Sequence, residues 1–239
     1  MSRDDDYVLG RELMDSVRLD AQHLLWKLHT SYELHPAISV TDDMKIADLG
    51  TGTGNVSLCL LDCLLEPPIS IHGQYDVVHL RMWASNIREN DTAALMRHVQ
   101  KLLKPGGYIQ WEDADLIHQT VQGSRAQEFE EHTREIFQQA GLDYSWVANL
   151  PHRLQKHHFH MVALHRDPFE GPLAQLCTRT YLAALMEILR GIKRTTRSEQ
   201  LVHSVNEQMV ALGRLSAAYV REGIVYNWLP VALVAWRET

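Results

Sequence analysis

The chain has 239 residues, 45% hydrophobic and 22% charged, with a formal net charge of -7. That length suits one well-buried domain, and that charge argues against nucleic acid as a partner, because no strongly basic face is expected. The opening MSRDDD lacks a cationic stretch leading into an apolar one, and the longest apolar runs, Val56 to Leu65 and Leu229 to Trp236, are too short to span a bilayer. A cytoplasmic protein with no membrane partner is therefore expected.

Three cysteines, Cys59, Cys63 and Cys177, match no metal-ligand or redox spacing and read as reduced thiols, with core packing favoured over reactivity. In chain order, residues 9 to 35 read as a helix, with Leu9, Leu13, Val17, Leu24, Leu25 and Leu28 at helical spacing, ended by His35-Pro36. Met44 to Leu49 is a short strand with an acid near its end, followed at once by Gly50-Thr51-Gly52-Thr53-Gly54. Asn55 to Leu65 fits a buried helix stopped by Glu66-Pro67-Pro68. Ile69 to Gly73 reads as a very short strand and Tyr75 to Leu80 as a stronger one. Thr92 to Leu103 is an amphipathic helix, Lys104-Pro105-Gly106-Gly107 a turn and Tyr108 to Trp111 the next strand. Ala126 to Ala140 then reads as a helix, Phe159 to His165 as a strand, Leu173 to Leu189 and Ser198 to Val220 as helices, and Trp228 to Trp236 as the last strand.

This alternation predicts an α/β fold: a doubly wound, mostly parallel sheet with helices on both faces. The reading gives one domain, 1–239. It has an N-terminal helical segment 1–40, a Rossmann-like core 41–170, an inserted helical lid 171–224 and a last strand 225–239.

A strand running through Asp48-Leu49 into a Gly-rich turn and then a helix is a nucleotide-binding arrangement. Glycine permits the tight turn and the close approach of backbone to ligand, and a helix N-terminus offers unpaired N–H groups to an anion. Alone it is a weak signal, and a bare structural turn is the competing reading.

Three stretches in order make it more specific. Lys45-Ile46-Ala47-Asp48-Leu49-Gly50-Thr51-Gly52-Thr53-Gly54 resembles the first motif of class I S-adenosylmethionine (SAM) methyltransferases. Gln74 to Arg81 resembles their fourth strand, and Leu102 to Glu112 the helix, turn and fifth strand that follow. The upstream Arg18 to Lys27 is similar to the opening helix of fungal methyltransferases of the UMTA and LaeA-like group of secondary metabolism. The resemblance implies SAM as cofactor, held by Asp48, Gly50, Thr51, Gly52 and Gly54 with Arg18 and Gln22. It also implies a small apolar substrate beneath the lid.

One departure stands beside the match. In such folds an acid ~20 residues past the Gly-rich turn, at the end of the second strand, holds the ribose hydroxyls. Here Ile69 to Gln74 carries no Asp or Glu, and the family pattern resumes at Gln74. The end of strand two through strand three is missing, and with it the ribose acid. A carboxylate on two hydroxyls is worth ~1.5–3 kcal/mol per bond. Its loss weakens binding roughly 10²- to 10⁴-fold, so SAM binding is expected to be weak or lost.

At the strand ends, where ligands of open α/β sheets sit, His79 is a candidate general base and Glu112 a candidate catalytic carboxylate. Arg81, Trp83, Trp111 and Asp113 are candidate pocket residues. The competing readings are a core histidine bonded to backbone, capping roles for Glu112, Asp113 and Asp115, and core packing for Trp111. His157-His158-Phe159-His160 has no neighbouring Cys, Asp or Glu to complete a metal site, and no metal is expected.

Three functions stay open: a SAM-dependent methyltransferase for a small apolar natural product of fungal secondary metabolism, a SAM-independent cyclase or pericyclase on the same fold, and a non-enzymatic homo- or hetero-dimer partner whose exposed sheet edge a second subunit covers.

Overall fold

The computed structural model describes residues 13–50 and 61–238. Thr51, Gly52 and Gly54 of the expected cofactor turn, and most of the helix expected after it, lie outside the described residues. The chain divides into two compact units.

The sheet unit takes Thr30–Ile117, Tyr144–Asp167 and Leu229–Thr239. Its strands are β1 (Ile46–Leu49), β2 (Tyr75–Arg81), β3 (Leu103–Gln122), β4 (Phe159–His165) and β5 (Val225–Arg237), with β3 and β5 running on into the other unit. The sheet order is β1-β2-β3-β5-β4. β1, β2 and β3 run parallel, with Asp48 beside His79 and Arg81 beside Glu112, while β4 is antiparallel to β5. The fold is thus the open, mostly parallel α/β sheet that the alternation of elements predicts. β2 is an apolar run, with Val77, Val78 and Leu80 fully buried, as a parallel strand covered on both faces must be. Helix α2 (Ala93–Leu102) packs on β2 and buries Leu95, Met96, Val99 and Leu102. The sheet has five strands among the described residues, with β1 at one edge and β2 directly beside it.

Three local expectations are corrected. Lys104 to Gly107 is a bulge inside β3: the register jumps from Tyr75 beside Leu103 to Val77 beside Tyr108. Gly106 has φ +75, and a Cβ on Gly107 would stand 3.0 Å from the Lys104 carbonyl and 3.1 Å from that of Asp76. The Asp76 carboxylate locks the bulge by accepting from Lys104 Nζ (2.7 and 2.8 Å) and from the Lys45 amide (2.9 Å). Second, Ile69–Ile71 is a 3₁₀ turn, with Ile69 85% exposed. Its neighbours Gly73 and Gln74 spend their amides on the Lys101 and Leu102 carbonyls, not on a strand partner. Third, Leu61 to Leu65 is not helical. The Asp62 carboxylate takes the Leu64 amide at 2.9 Å, a side-chain turn that competes with the helical ladder.

The helical unit takes Met1–His29, His118–Asp143 and Pro168–Trp228. Among its described residues are α1 (Leu13–Thr30), α3 (Ser124–Gln139), α5 (Pro172–Thr195) and α6 (Glu199–Ala218); a short α4 (Leu150–Lys156) belongs to the sheet unit. α6 packs on both α3 and α5 around Leu185, Leu189, Val205, Leu212 and Leu215. Ser198 caps α6 by accepting the Leu201 amide at 3.2 Å. Trp26, Phe169 and Trp228 form an aromatic cluster with centroids 4.7 to 6.3 Å apart. The buried face of α1 is Arg18, Gln22, Leu25 and Trp26; the stripe of Leu13, Val17, Leu24 and Leu28 is exposed. Polar residues win that face because Arg18 finds a buried carboxylate, described below.

This unit also buries Glu130, whose carboxylate accepts from Gln119 Nε2 (2.5 Å) and the Tyr181 hydroxyl (3.0 Å). Burial pushes its pKa up to about 6, against the pull of Tyr181, Arg134 and Gln119. A carboxyl raised on folding is stabilising while protonated, and that contribution is lost as pH rises from its ordinary value of 4.5 through about 6. Wild type is therefore expected to lose about 2 kcal/mol relative to Glu130→Gln between pH 4.5 and pH 7. Paired urea titrations at those two pH values measure the difference, and an unchanged gap between the two proteins would refute the assignment.

Among the described residues no helix is long and apolar enough to cross a membrane, and no group of three or more His, Cys, Asp or Glu could hold a metal ion.

Candidate functional site

The parallel register of β1, β2 and β3 brings Asp48, His79, Arg81 and Glu112 together at their C-terminal ends, within the sheet unit. His79 Nδ1 lies 2.8 Å from Asp48 Oδ1, and its Nε2 lies 3.5 Å from Glu112 Oε2. Arg81 Nε donates to the same Glu112 oxygen at 2.5 Å. The other Glu112 oxygen accepts from Gln110 Nε2 at 2.9 Å. Gln110 in turn accepts the His35 amide at 2.8 Å and donates to the Glu33 carbonyl at 2.9 Å, tying the loop after α1 to β3. The Glu112 side chain is fully buried, Arg81 and His79 are 15% and 13% exposed, and Asp48 is 33% exposed, so the cluster opens to solvent on the β1 side.

The electrostatics follow from this geometry. Burial lowers the His79 pKa, but the hydrogen bonds and charges of Asp48 and Glu112 together outweigh it and raise it. Burial raises Glu112, and His79 and Arg81 outweigh it in the other direction, so it stays a carboxylate. Both ring nitrogens of His79 thus face carboxylates, which favour its protonated form. Tyr32, on the loop after α1, has its hydroxyl pKa pushed up to about 12, first by burial and then by Glu112, with Arg81 pulling the other way. Its proton is held beside the Glu112–Arg81 pair.

The remaining expected residues have these partners. The Asp113 carboxylate, fully buried, accepts the Trp83 and Ala84 amides (3.0 and 3.3 Å), the Ala114 amide (3.0 Å) and Trp111 Nε1 (3.0 Å). Burial pushes its pKa up to about 6 against those four donations. Trp111 is buried against Trp146, centroids 5.7 Å apart. Trp83 donates from Nε1 to the Leu49 carbonyl at 3.0 Å and backs Gly50. Gly50 has φ +76, and a Cβ there would meet Trp83 Nε1 at 3.3 Å. Arg18 and Gln22 belong to the helical unit, where Arg18 Nε donates to Glu187 at 2.5 Å and Nη1 to Gln22 at 3.3 Å.

Two members of the cluster carry no sequence signal. Tyr32 sits on a connecting loop outside any motif, and Gln110 is one residue of a strand whose role depends on the register with β2.

The space that Gly50 opens is filled by the Trp83 indole, the Asp48 carboxylate is bonded to His79, and β1 is the edge of the sheet among the described residues, so no neighbouring strand carries a ribose acid.

No protein-family model matches the chain. A curated protein, methyltransferase grgD of Penicillium, is 28% identical over a region covering 42% of this chain and 50% of that protein, so the chain spans half the length of this curated relative. Among solved structures, loganic acid methyltransferase with SAH aligns over 100% of this chain and 98% of its own at 10% identity, TM-score 0.51. The [4+2]-cyclase SpnF aligns over 76% of this chain and 55% of its own at 13% identity, TM-score 0.40. On its sheet and the first of these two structural likenesses, the chain has the Rossmann-like α/β fold of the class I methyltransferases.

Proposed function

We infer that the chain acts on a small molecule of fungal secondary metabolism at the C-terminal ends of β1 to β3, and does so without SAM as a tightly held methyl donor. The observation that carries this reading is His79 held between Asp48 and Glu112. Asp48, the acid of the Gly-rich motif, is bonded to the His79 ring of its own chain.

The chemistry that remains is hydrogen-bond donation. The Tyr32 hydroxyl, which holds its proton, stands beside the Glu112–Arg81 pair, and Arg81 and His79 bring positive character to the same strand ends. Prearranged donors of this kind stabilise negative charge that develops on a substrate oxygen. Ring closure or rearrangement of a carbonyl compound needs such donors and no second substrate, which suits a SAM-independent cyclase. The secondary-metabolite setting rests on the motif resemblance; the Penicillium relative is named as a methyltransferase.

A second reading, SAM-dependent methyl transfer, is favoured by Gly50, which turns the chain at φ +76 directly after β1. Calorimetry separates the two. Titration with SAM and with SAH is expected to give no heat, or a dissociation constant well above micromolar. Micromolar binding would overturn the SAM-independent reading and restore methyl transfer.

A further inference from the structure

We propose that a cleft at the N-terminal ends of β2 and β3 binds a phosphorylated small molecule through Arg97 and Lys101. The cleft has a volume of about 560 Å³. Leu103 begins β3 and Gly73 stands just before β2, so the cleft lies at the opposite end of these strands from the Asp48 cluster. Arg97, Lys101, Arg237 and His72 line it, and no Asp or Glu does. In a chain with 30 acidic and 23 basic residues, a lining with three cationic side chains and no carboxylate of its own concentrates positive potential, offset by Glu66, the partner of Lys101.

Helix α2 ends at this cleft, and the carbonyl end of a helix by itself repels anions. Here that end is neutralised. Arg237 Nη1 donates to the Gln100 and Leu103 carbonyls at 2.6 and 2.7 Å. The Gly73 amide takes the Lys101 carbonyl at 2.8 Å, and the Gln74 amide that of Leu102 at 3.1 Å. Four successive carbonyls are thus each met by a donor, and Arg237 is a fixed cap within the lining.

Arg97 is different. It is exposed and makes no hydrogen bond or ion pair with another described residue. A guanidinium is a planar fork of donors that matches phosphate oxygens. Lys101 pairs with Glu66, whose side chain is 67% exposed, and so open a pair is worth little and yields to a stronger anion. Gly73, at φ +59, leaves open space where a Cβ would stand. The volume lies in the range of small-molecule sites and well exceeds what one phosphate ion fills, so the fitting ligand is an oligophosphate or a nucleotide.

Inorganic tripolyphosphate is the probe. Calorimetry at low salt is expected to show binding in the sub-millimolar range, weakening as salt is added. The double variant Arg97→Gln, Lys101→Gln should weaken it at least roughly tenfold, since two charge-assisted contacts are removed. Both side chains lie at the surface, so the variant should keep the wild-type melting temperature. Asp48→Asn should leave tripolyphosphate binding unchanged, which separates this cleft from the Asp48 site whatever that site does. Absence of heat at millimolar tripolyphosphate, or equal affinity in the double variant, overturns the proposal. Tighter binding of polyglutamate than of tripolyphosphate overturns it in favour of an acidic protein partner.

Discussion

Replacing Asp113 by alanine is expected to remove roughly 4 kcal/mol or more of folding stability, because it strands buried donors that cost ~1–3 kcal/mol each when unpaired. Four N–H groups converge on that carboxylate: the Trp83, Ala84 and Ala114 amides and the Trp111 indole. None can turn to water, since Trp83, Ala84, Trp111 and Ala114 are all buried. Such a loss is a large share of the ~5–15 kcal/mol that holds a domain of this kind together. Asp113→Asn keeps one acceptor oxygen and turns an amine toward the other pair of donors, so its loss should be smaller. Urea unfolding followed by tryptophan fluorescence gives the order wild type, Asn, Ala. The damage also reaches the candidate site. Asp113 fixes the backbone of Trp83, whose indole bonds the Leu49 carbonyl and packs on Gly50. Amides from Met82 to Asn86 should therefore exchange faster in the Asn variant than in wild type. A variant with wild-type stability and altered ligand handling would make Asp113 a pocket residue instead.

The same residue shows what sequence alone could convey. Strand β2 was readable because every route to burying Val77, Val78 and Leu80 at once requires a covered parallel strand. The neighbourhood of Asp48, His79 and Glu112 was readable too, since ends of parallel strands meet wherever the register allows, and the motif order supplied the strands. Roles were harder. Asp113 and Glu112 are adjacent acids on one strand, and alternation sends one into a knot of backbone amides and the other toward His79 and Arg81. Nothing in the string Trp-Glu-Asp says which is which. The surroundings of His79 were likewise hidden, because its two carboxylate neighbours lie 31 and 33 residues away. The bulge at Lys104 to Gly107 has the composition of a turn, and only pairing on both sides of it makes it part of a strand.

Breaking the ion pair between Arg18 and Glu187 should cost as much as the loss of Asp113. The two side chains are 6% and 5% exposed and meet at 2.5 Å, inside the helical unit. Removing one side chain takes the ion-pair partner from a buried charge, a loss of ~3–5 kcal/mol, although Arg18 keeps its 3.3 Å bond to Gln22. Glu187→Leu strands a guanidinium that cannot give up its proton, so its instability should persist at every pH. Arg18→Leu strands a carboxylate that can take one up. A buried carboxyl can be neutralised by a proton, so this variant should regain stability in mildly acid solution. The double variant Arg18→Leu, Glu187→Leu has no buried charge at this place and should lie near wild type, because a well-packed apolar pair replaces a buried ion pair at little net cost. The cycle of four proteins, measured by urea unfolding at neutral and mildly acid pH, therefore predicts two unstable singles, one of them acid-rescued, and a restored double. Were Arg18 kept for a cofactor alone, as the resemblance implies, Arg18→Leu would leave stability untouched and the double variant would offer nothing to restore.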